Sequence, residues 1–98
     1  MNYSVDFFVK ARLELFEARL WYENQEQGLG KRFKEEVFRK IDLIQNNPLH
    51  YPLKNGLHEA ITDVFPYIIV YKVIKSRKMI IIVSVFHMKR HPKRKKKK

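Results

Sequence analysis

Residues 65–74, FPYIIVYKVI, and residues 79–87, MIIIVSVFH, decide the fold of this chain. Both stretches have the length of a strand and are rich in β-branched and aromatic residues. They are joined by the short charged connector KSRK at residues 75–78, so together they predict a β-hairpin. Their apolar character is nearly continuous rather than alternating, which is typical of strands covered on both faces. We therefore place this hairpin in the middle of a sheet.

The composition indicates one small domain with an unevenly distributed charge. The chain has 98 residues, 45% of them hydrophobic, and no cysteine, which excludes disulfides and thiolate metal sites. Residues 87–98 hold eight Lys or Arg and no acid, whereas residues 1–86 hold thirteen Lys or Arg and ten acids. A concentrated cationic segment favours nucleic acid or an acidic protein as partner, through counterion release. We expect a single domain at residues 1–92 and a basic, disordered tail at residues 93–98.

The sequence gives no sign of a membrane or secretory segment. No apolar run reaches the length needed to cross a bilayer, and residues 1–6 lack the basic start of a signal peptide. The absence of cysteine fits a reducing compartment. We therefore predict a cytoplasmic protein without a membrane partner.

Upstream of the hairpin, the period of the apolar residues predicts a strand followed by two helices. Residues 3–7 alternate weakly, as in a strand. From Val9 to about Tyr22 the spacing becomes helical, and the residues predicted to face the core are Val9, Leu13, Phe16 and Leu20. A second helix is predicted from Leu29 until Asn46-Asn47-Pro48 ends it. Its apolar stripe consists of Leu29, Phe33, Val37, Ile41 and Ile44.

The segment between the helices and the hairpin predicts one further strand. Residues 49–56 contain two prolines and a glycine and are expected to be irregular. Residues 57–64 form a weaker, partly exposed strand beside the hairpin, and Pro66 fits a strand start. The predicted fold class is α+β in the order β-α-α-β-β-β. Its antiparallel sheet core carries an N-terminal helical hairpin packed on one face.

This order of elements and several short motifs resemble the RelE/ParE superfamily of bacterial toxins. The motifs are Trp21-Tyr22, GLGKRF at residues 28–33, Asn47-Pro48, Phe65-Pro66-Tyr67, Tyr71, and His87-x-x-Arg90-x-Pro92 directly after the last strand. The resemblance covers essentially the whole chain. It implies a toxin of a type II toxin-antitoxin operon, held inactive by a small, acidic and partly disordered antitoxin.

Two unlike activities occur in that superfamily: RelE-type members cut mRNA on the ribosome, and ParE-type members inhibit DNA gyrase. Cutting RNA needs a proton acceptor, a cation near the phosphate and a proton donor for the leaving oxygen. If the chain is a nuclease, its candidate catalytic residues are His87, Arg90 and Tyr71. The candidate residues for binding nucleic acid or the target are Lys72, Lys89, Arg90, Lys93 and Arg94. The histidines lack the spacing of metal ligands, so neither a metal nor another cofactor is predicted.

Other readings of the same residues remain open at this point. Tyr67 and Tyr71 share a face with Ile69 and Val73, as side chains of a core would. The strand before Phe65 reads HEAITD at residues 58–63, without the basic residue that many ribosome-dependent members carry there. An acid at that position repels a phosphate. The sequence therefore favours a ParE-like toxin that binds a target such as gyrase. A ribosome-dependent endoribonuclease comes second, and a non-toxic nucleic-acid-binding module third.

Overall fold

The computed structural model describes residues 3–89 and has the predicted α+β architecture. Its elements are β1 (Ser4–Phe7), α1 (Val9–Gln25), α2 (Leu29–Asn46), β2 (Leu53–Lys54), β3 (Leu57–Ile61), β4 (Tyr67–Ile74) and β5 (Met79–His87). The order strand, helix, helix, then strands is confirmed. One short strand, β2, is added inside the segment predicted to be irregular. The end of the predicted domain and the predicted tail at residues 93–98 lie outside the described residues.

The five strands form one sheet in the order β1-β5-β4-β3-β2. The pairs β5-β4, β4-β3 and β3-β2 are antiparallel, as predicted for the sheet core, and β1 adds a parallel edge beside β5. The register of β4 and β5 shifts between Val70 and Tyr71, where Val83 is an extra residue on β5. Such a bulge bends and twists the strand that carries it.

The central position of the hairpin follows from its apolar sequence. Strand β4 buries five consecutive residues, 67–71, so both of its faces are covered over that length. The residues on its odd-numbered face, Tyr67, Ile69 and Tyr71, join the core that the helices cover. The connector at residues 75–77 forms one turn of 3-10 helix, and Lys78 after it adopts a left-handed conformation.

Helix α2 packs on the sheet through its predicted stripe. Phe33, Val37, Ile41 and Ile44 are buried in the core, and Leu29 packs against it. Neither of the two helices in residues 3–89 is long and apolar enough to cross a membrane.

The predicted core face of α1 is wrong. Val9, Leu13, Phe16 and Leu20 point outward, with exposed fractions of 72%, 54%, 51% and 42%, whereas Ala11, Ala18 and Tyr22 are buried. Small residues such as alanine and glycine let two helices approach closely. At Gly30 on α2, the backbone and the side chain of Arg19 on α1 lie close by. A Cβ atom at Gly30 would stand 2.6 Å from the Arg19 carbonyl oxygen, so no larger residue fits this crossing. Close packing through Ala11 and Ala18 leaves these four apolar residues of α1 outside.

Candidate functional site

The His87 end of the sheet is where the sequence placed its main candidate. His87 is the last residue of β5, and its backbone pairs with Tyr67 on β4. The two rings meet edge to face with centroids 5.2 Å apart. The backbone N–H of Lys89 donates to His87 Nδ1 at 2.9 Å. Because Nδ1 accepts this bond, the neutral imidazole carries its proton on Nε2.

A row of aromatic rings connects this end of the sheet to the C-terminal turn of α1. The Tyr22 ring lies 6.1 Å from the Tyr67 ring, and the half-exposed Trp21 packs edge-on against Tyr22 at 5.0 Å. The backbone N–H of Met88 donates to the Pro66 carbonyl at 2.9 Å, which holds the chain leaving β5 against the start of β4. Trp21 and His87 are thus the two ends of one row of packed aromatic rings, whose middle members, Tyr22 and Tyr67, are buried.

Tyr71 lies inside the core. It is fully buried, its hydroxyl donates to the Pro48 carbonyl at 2.6 Å, and its ring stacks on the buried His58 at 5.0 Å. His58 in turn shares a hydrogen bond of 2.8 Å between its Nδ1 and the Tyr51 carbonyl. Burial, together with the nearby Tyr51 side chain, raises the pKa of Tyr71 well above its usual value. The phenol is therefore held protonated and fixed to the end of α2.

The other predicted binding residues do not gather around His87 within the described part of the chain. Lys72 is exposed on the face of β4 opposite Tyr71, because successive side chains alternate along a strand. It is five residues from Tyr67, which corresponds to roughly 17 Å along the strand. Lys89 is exposed beside His87. Arg90, Lys93 and Arg94 lie outside the described residues.

The charged side chains that belong to β4, β5 and the residues flanking them are of one sign. All ten acidic residues of the chain precede Val64. Residues 64–89 therefore carry Lys72, Lys75, Arg77, Lys78 and Lys89 without any acid. A segment of this kind attracts anions, whether phosphates or carboxylates. Across residues 3–89, no group of three or more His, Asp or Glu side chains is placed to hold a metal ion.

Three glutamates that the sequence analysis did not single out organise the backbone around this site. Glu36, buried on α2, accepts the backbone N–H groups of Asp63 and Val64 at 2.7 and 2.8 Å, just before β4. Glu14 on α1 accepts the backbone N–H of Val85 and the hydroxyl of Ser84, both at 2.8 Å. Strand β1 pairs with β5 only at residues 79–82. Beyond the end of β1, the Glu14 carboxylate therefore accepts a backbone N–H of β5 that a neighbouring strand would otherwise bind.

The third, Glu23, fixes the joint between the helices. Its two carboxylate oxygens accept the backbone N–H groups of Gly28 and Gly30, each at 2.9 Å. These N–H groups belong to the first turn of α2 and its N-cap, which have no partner within the helix. A signal for two of these roles was present in the sequence: Glu36 lies at the edge of the apolar stripe of α2, and Glu14 lies on the same side of α1 as Ala11 and Ala18.

A second concave region lies between α1, α2 and β1, and Trp21 is not among the residues that line it. We call it the α1–α2 groove. It encloses about 400 Å³ and is lined by Phe7, Arg12, Leu15, Phe16, Arg19, Lys34 and Phe38. Its apolar lining consists of three phenylalanines and Leu15, and its charged residues are all cations.

Comparison with solved structures shows which known proteins share this fold. The chain is similar to a chain of the chromosomal ParDE toxin-antitoxin system from P. aeruginosa, with a TM-score of 0.75 and 13% identity over 87% of this chain and 95% of that one. It is also similar to a mutant of the E. coli toxin RelE in the free state, with a TM-score of 0.70 and 20% identity over 91% and 86% of the two chains. A chain of the intact E. coli RelBE toxin-antitoxin complex is similar as well, with a TM-score of 0.67 and 21% identity over 90% of this chain and 99% of that one. The chain therefore shares its fold with these proteins of the ParDE and RelBE systems.

A comparison of the sequence with models of protein families identifies the family of this chain. The model of a family described as the ParE toxin of the type II toxin-antitoxin system parDE matches residues 5–92. The chain therefore belongs to the ParE toxin family. A search of curated protein sequences finds no match.

Proposed function

We propose that this member of the ParE family is a growth inhibitor that acts by binding a target such as DNA gyrase, and that a small acidic antitoxin holds it inactive. Membership of a toxin family gives the general role. The mode of action and the partner rest on the geometry of the His87 end and on its charge. A cytoplasmic location is part of the same proposal, because gyrase and ribosomes are both found there.

The observation that carries this proposal is the dispersal of the groups that would have to cooperate in cutting RNA. Tyr71 is buried and bound to Pro48, while Lys72 lies on the opposite face of β4. A general acid or base acts within hydrogen-bond reach of the reacting atom. Among the described residues, His87 and Lys89 are therefore the only predicted site residues left on one surface. A surface with few catalytic groups but with exposed aromatic and cationic side chains suits binding.

The composition of the His87 end supports a protein or nucleoprotein target. Trp21 offers a large half-exposed ring, and Lys89 begins the cationic C-terminal sequence that continues through Arg90, Lys93 and Arg94. Aromatic residues and Arg are the side chains that most often dominate binding energy at interfaces. The same cations would also meet the carboxylates of an acidic antitoxin, which would then compete with the target.

One observation favours the alternative, a ribosome-dependent endoribonuclease. The Lys89 N–H donates to His87 Nδ1, which orients the imidazole at the end of β5, and an imidazole is a common general acid or base. Lys89 beside it could hold a phosphate. In that case Arg90, which follows Lys89 directly, would be the second cation.

Two assays on one set of variants separate these functions. Purified chain is added to gyrase supercoiling reactions, and mRNA 5′ ends are mapped within minutes of induction in bacteria. We expect inhibited supercoiling, growth arrest and intact mRNA. The double variant Lys89→Ala/Arg90→Ala should lose inhibition, whereas Lys31→Ala/Arg32→Ala, which removes the same two residue types from the exposed face of α2, should keep it.

Other outcomes point elsewhere. New mRNA ends inside translated codons that disappear in His87→Ala would establish the nuclease and overturn the binding proposal. Growth arrest with intact mRNA and unaffected supercoiling would retain a binding toxin and reject gyrase as its target. If the wild-type chain causes no arrest, the proposed function is wrong.

A further inference from the structure

The connector between β4 and β5 consists mostly of cations. Residues 75–78 read KSRK, and all four side chains are exposed. Lys72, which precedes them on β4, is exposed as well. We call Lys72, Lys75, Arg77 and Lys78 the turn cations. Among residues 3–89, no acid forms an ion pair with any of them. Uncompensated positive charges so close in sequence repel one another, and an anion bound among them would lower their free energy.

The backbone of this turn indicates that its lysines are present for their charge. Tight turns are usually made by Gly, Asn, Asp or Pro, and residues 75–78 include none of them. Lys78 has a φ of 49°, in the left-handed region that a residue with a side chain enters at a cost. Its N–H donates to the Lys75 carbonyl at 3.2 Å, which closes the turn and brings the two lysines close together. A cation at a position that glycine would occupy with less strain points to a role in binding.

The cationic surface extends from the turn across the neighbouring strands. Lys54 on β2 pairs with Leu57 on β3, and the ladder between β3 and β4 places Leu57 beside Lys72. Residues paired across strands point to the same face of a sheet, so Lys54 and Lys72 share one face, two strand spacings or roughly 10 Å apart. The acids that the strands place on this face are Asp6 and Glu59. The turn cations and Lys54 outnumber them, so this end of the sheet is positive.

The side chains of the turn suit the phosphates of a nucleic-acid duplex better than other anions. None of residues 72–79 is an exposed large apolar residue, so the turn lacks the anchors that protein interfaces and membrane insertion need. The same residues include no aromatic ring on which an unpaired base could stack. A duplex keeps its bases stacked inside and presents a regular row of phosphates. Lysine, a point charge on a flexible stem, fits such a row without a shaped pocket.

We propose that the turn cations, with Lys54 beside them, bind the phosphate backbone of a nucleic-acid duplex without reading its sequence. The backbone chemistry is shared by DNA and RNA, and the test below separates the two. The turn and His87 lie at opposite ends of β5, whose nine residues span roughly 26 Å. A duplex can therefore bind at the turn without covering the His87 end, and this inference does not rest on the proposed function.

The test measures binding of the full chain to short fluorescent duplexes of DNA and of RNA as salt is raised from about 50 to about 200 mM. The turn variant Lys75→Gln/Arg77→Gln/Lys78→Gln should bind roughly tenfold more weakly or worse, because three phosphate contacts are lost. The slope of log affinity against log salt should become shallower by about 2 to 3, since each contact contributes about 0.9. Loss confined to one of the two duplexes supports the proposal and identifies DNA or RNA as the ligand.

The matched control is Lys31→Gln/Arg32→Gln/Lys34→Gln, which removes the same residue types from exposed positions of α2. It lowers the net charge by the same amount and should keep an affinity and a salt slope close to those of wild type. The cationic residues 89–98 are present in every variant, so their contribution to duplex binding is common to all of them. A difference between the two triple variants therefore reports on the turn.

A single variant, Lys78→Gly, separates charge from folding. Because glycine fits the left-handed conformation, this variant should melt at least as high as wild type and still bind the duplex more weakly. Circular dichroism melts verify that each variant is folded; if the turn variant is not, Lys78→Gly decides. Equal affinities of the turn variant and its control, or no duplex binding by wild type, overturn the proposal. Turn-dependent binding of polyglutamate, phosphatidylserine vesicles or oligothymidine that exceeds duplex binding overturns it in favour of that ligand.

Discussion

Helices α1 and α2 have nearly the same length, 17 and 18 residues, and each carries large apolar residues at spacings of three and four. Helix α2 buries that row completely between Phe33 and Ile44, whereas α1 turns its row to solvent and packs through Ala11 and Ala18. Helical periodicity therefore tells that a helix has an apolar face, and does not tell what covers it. On α2 the cover is the sheet of the same chain. On α1 the row consists of Val9, Leu13, Phe16 and Leu20, which we call the outer stripe, and no other part of residues 3–89 buries it.

The largest effect that separates the two helices comes from truncating one phenylalanine on each. Phe33→Ala should lower the free energy of unfolding by about 3–5 kcal/mol, because a fully buried ring is removed and a cavity remains. Phe16→Ala should change it by less than about 1 kcal/mol, since Phe16 is half exposed and alanine is a good helix former. Urea unfolding followed by circular dichroism measures both. Equal losses would mean that α1 packs in solution through its outer stripe, and the comparison would fail.

A second substitution tests why α1 faces the way it does. Ala11 is fully buried, so Ala11→Leu should cost about 1–3 kcal/mol by forcing α1 away from its neighbours. Glu17→Leu, which adds the same side chain on the exposed side of α1, serves as its control and should be nearly neutral. If Ala11→Leu stabilised the chain, close packing through small residues would not be the reason that the outer stripe is exposed.

Local patterns were sufficient for the hairpin, for α2 and for the position of His87, because apolar runs and their period specify which residues must leave water. They were insufficient where the answer depends on contacts distant in sequence. The parallel pairing of β1 with β5 and the burial of α1 through its alanines are of this kind. Tyr71 illustrates both cases. The alternation of side chains along a strand predicted that Tyr71 shares a face with Ile69, but only the fold shows that its hydroxyl donates to the Pro48 carbonyl.

The candidate site likewise contains residues whose position followed from the sequence and residues whose contacts did not. The placement of His87 and Lys89 at the end of a core strand followed from the sequence. The backbone contacts of Glu14 and Glu36 did not, because a carboxylate that replaces a strand or caps a loop looks like any other polar residue of a helix. An acid inside an apolar or alanine-rich stripe is the local signal that such a role leaves.

The smallest expected effect on stability concerns Glu23, whose carboxylate fixes the joint between α1 and α2. Hydrogen bonds from Gly28 N–H and then Gly30 N–H, with a further contribution from Arg19, hold the pKa of Glu23 below its usual value of 4.5. A carboxyl whose pKa is depressed by folding contributes stability that is present above the unfolded value and is lost as the pH falls through the folded value. The dependence of unfolding on pH below about 4.5 should therefore become shallower in Glu23→Gln. Glu26→Gln, at an exposed acid three residues on that accepts neither of these hydrogen bonds, is the matched control. Parallel profiles for wild type and Glu23→Gln would show that the ionised carboxylate is not what fixes this joint, so that the close approach at Gly30 would have to orient the outer stripe by itself.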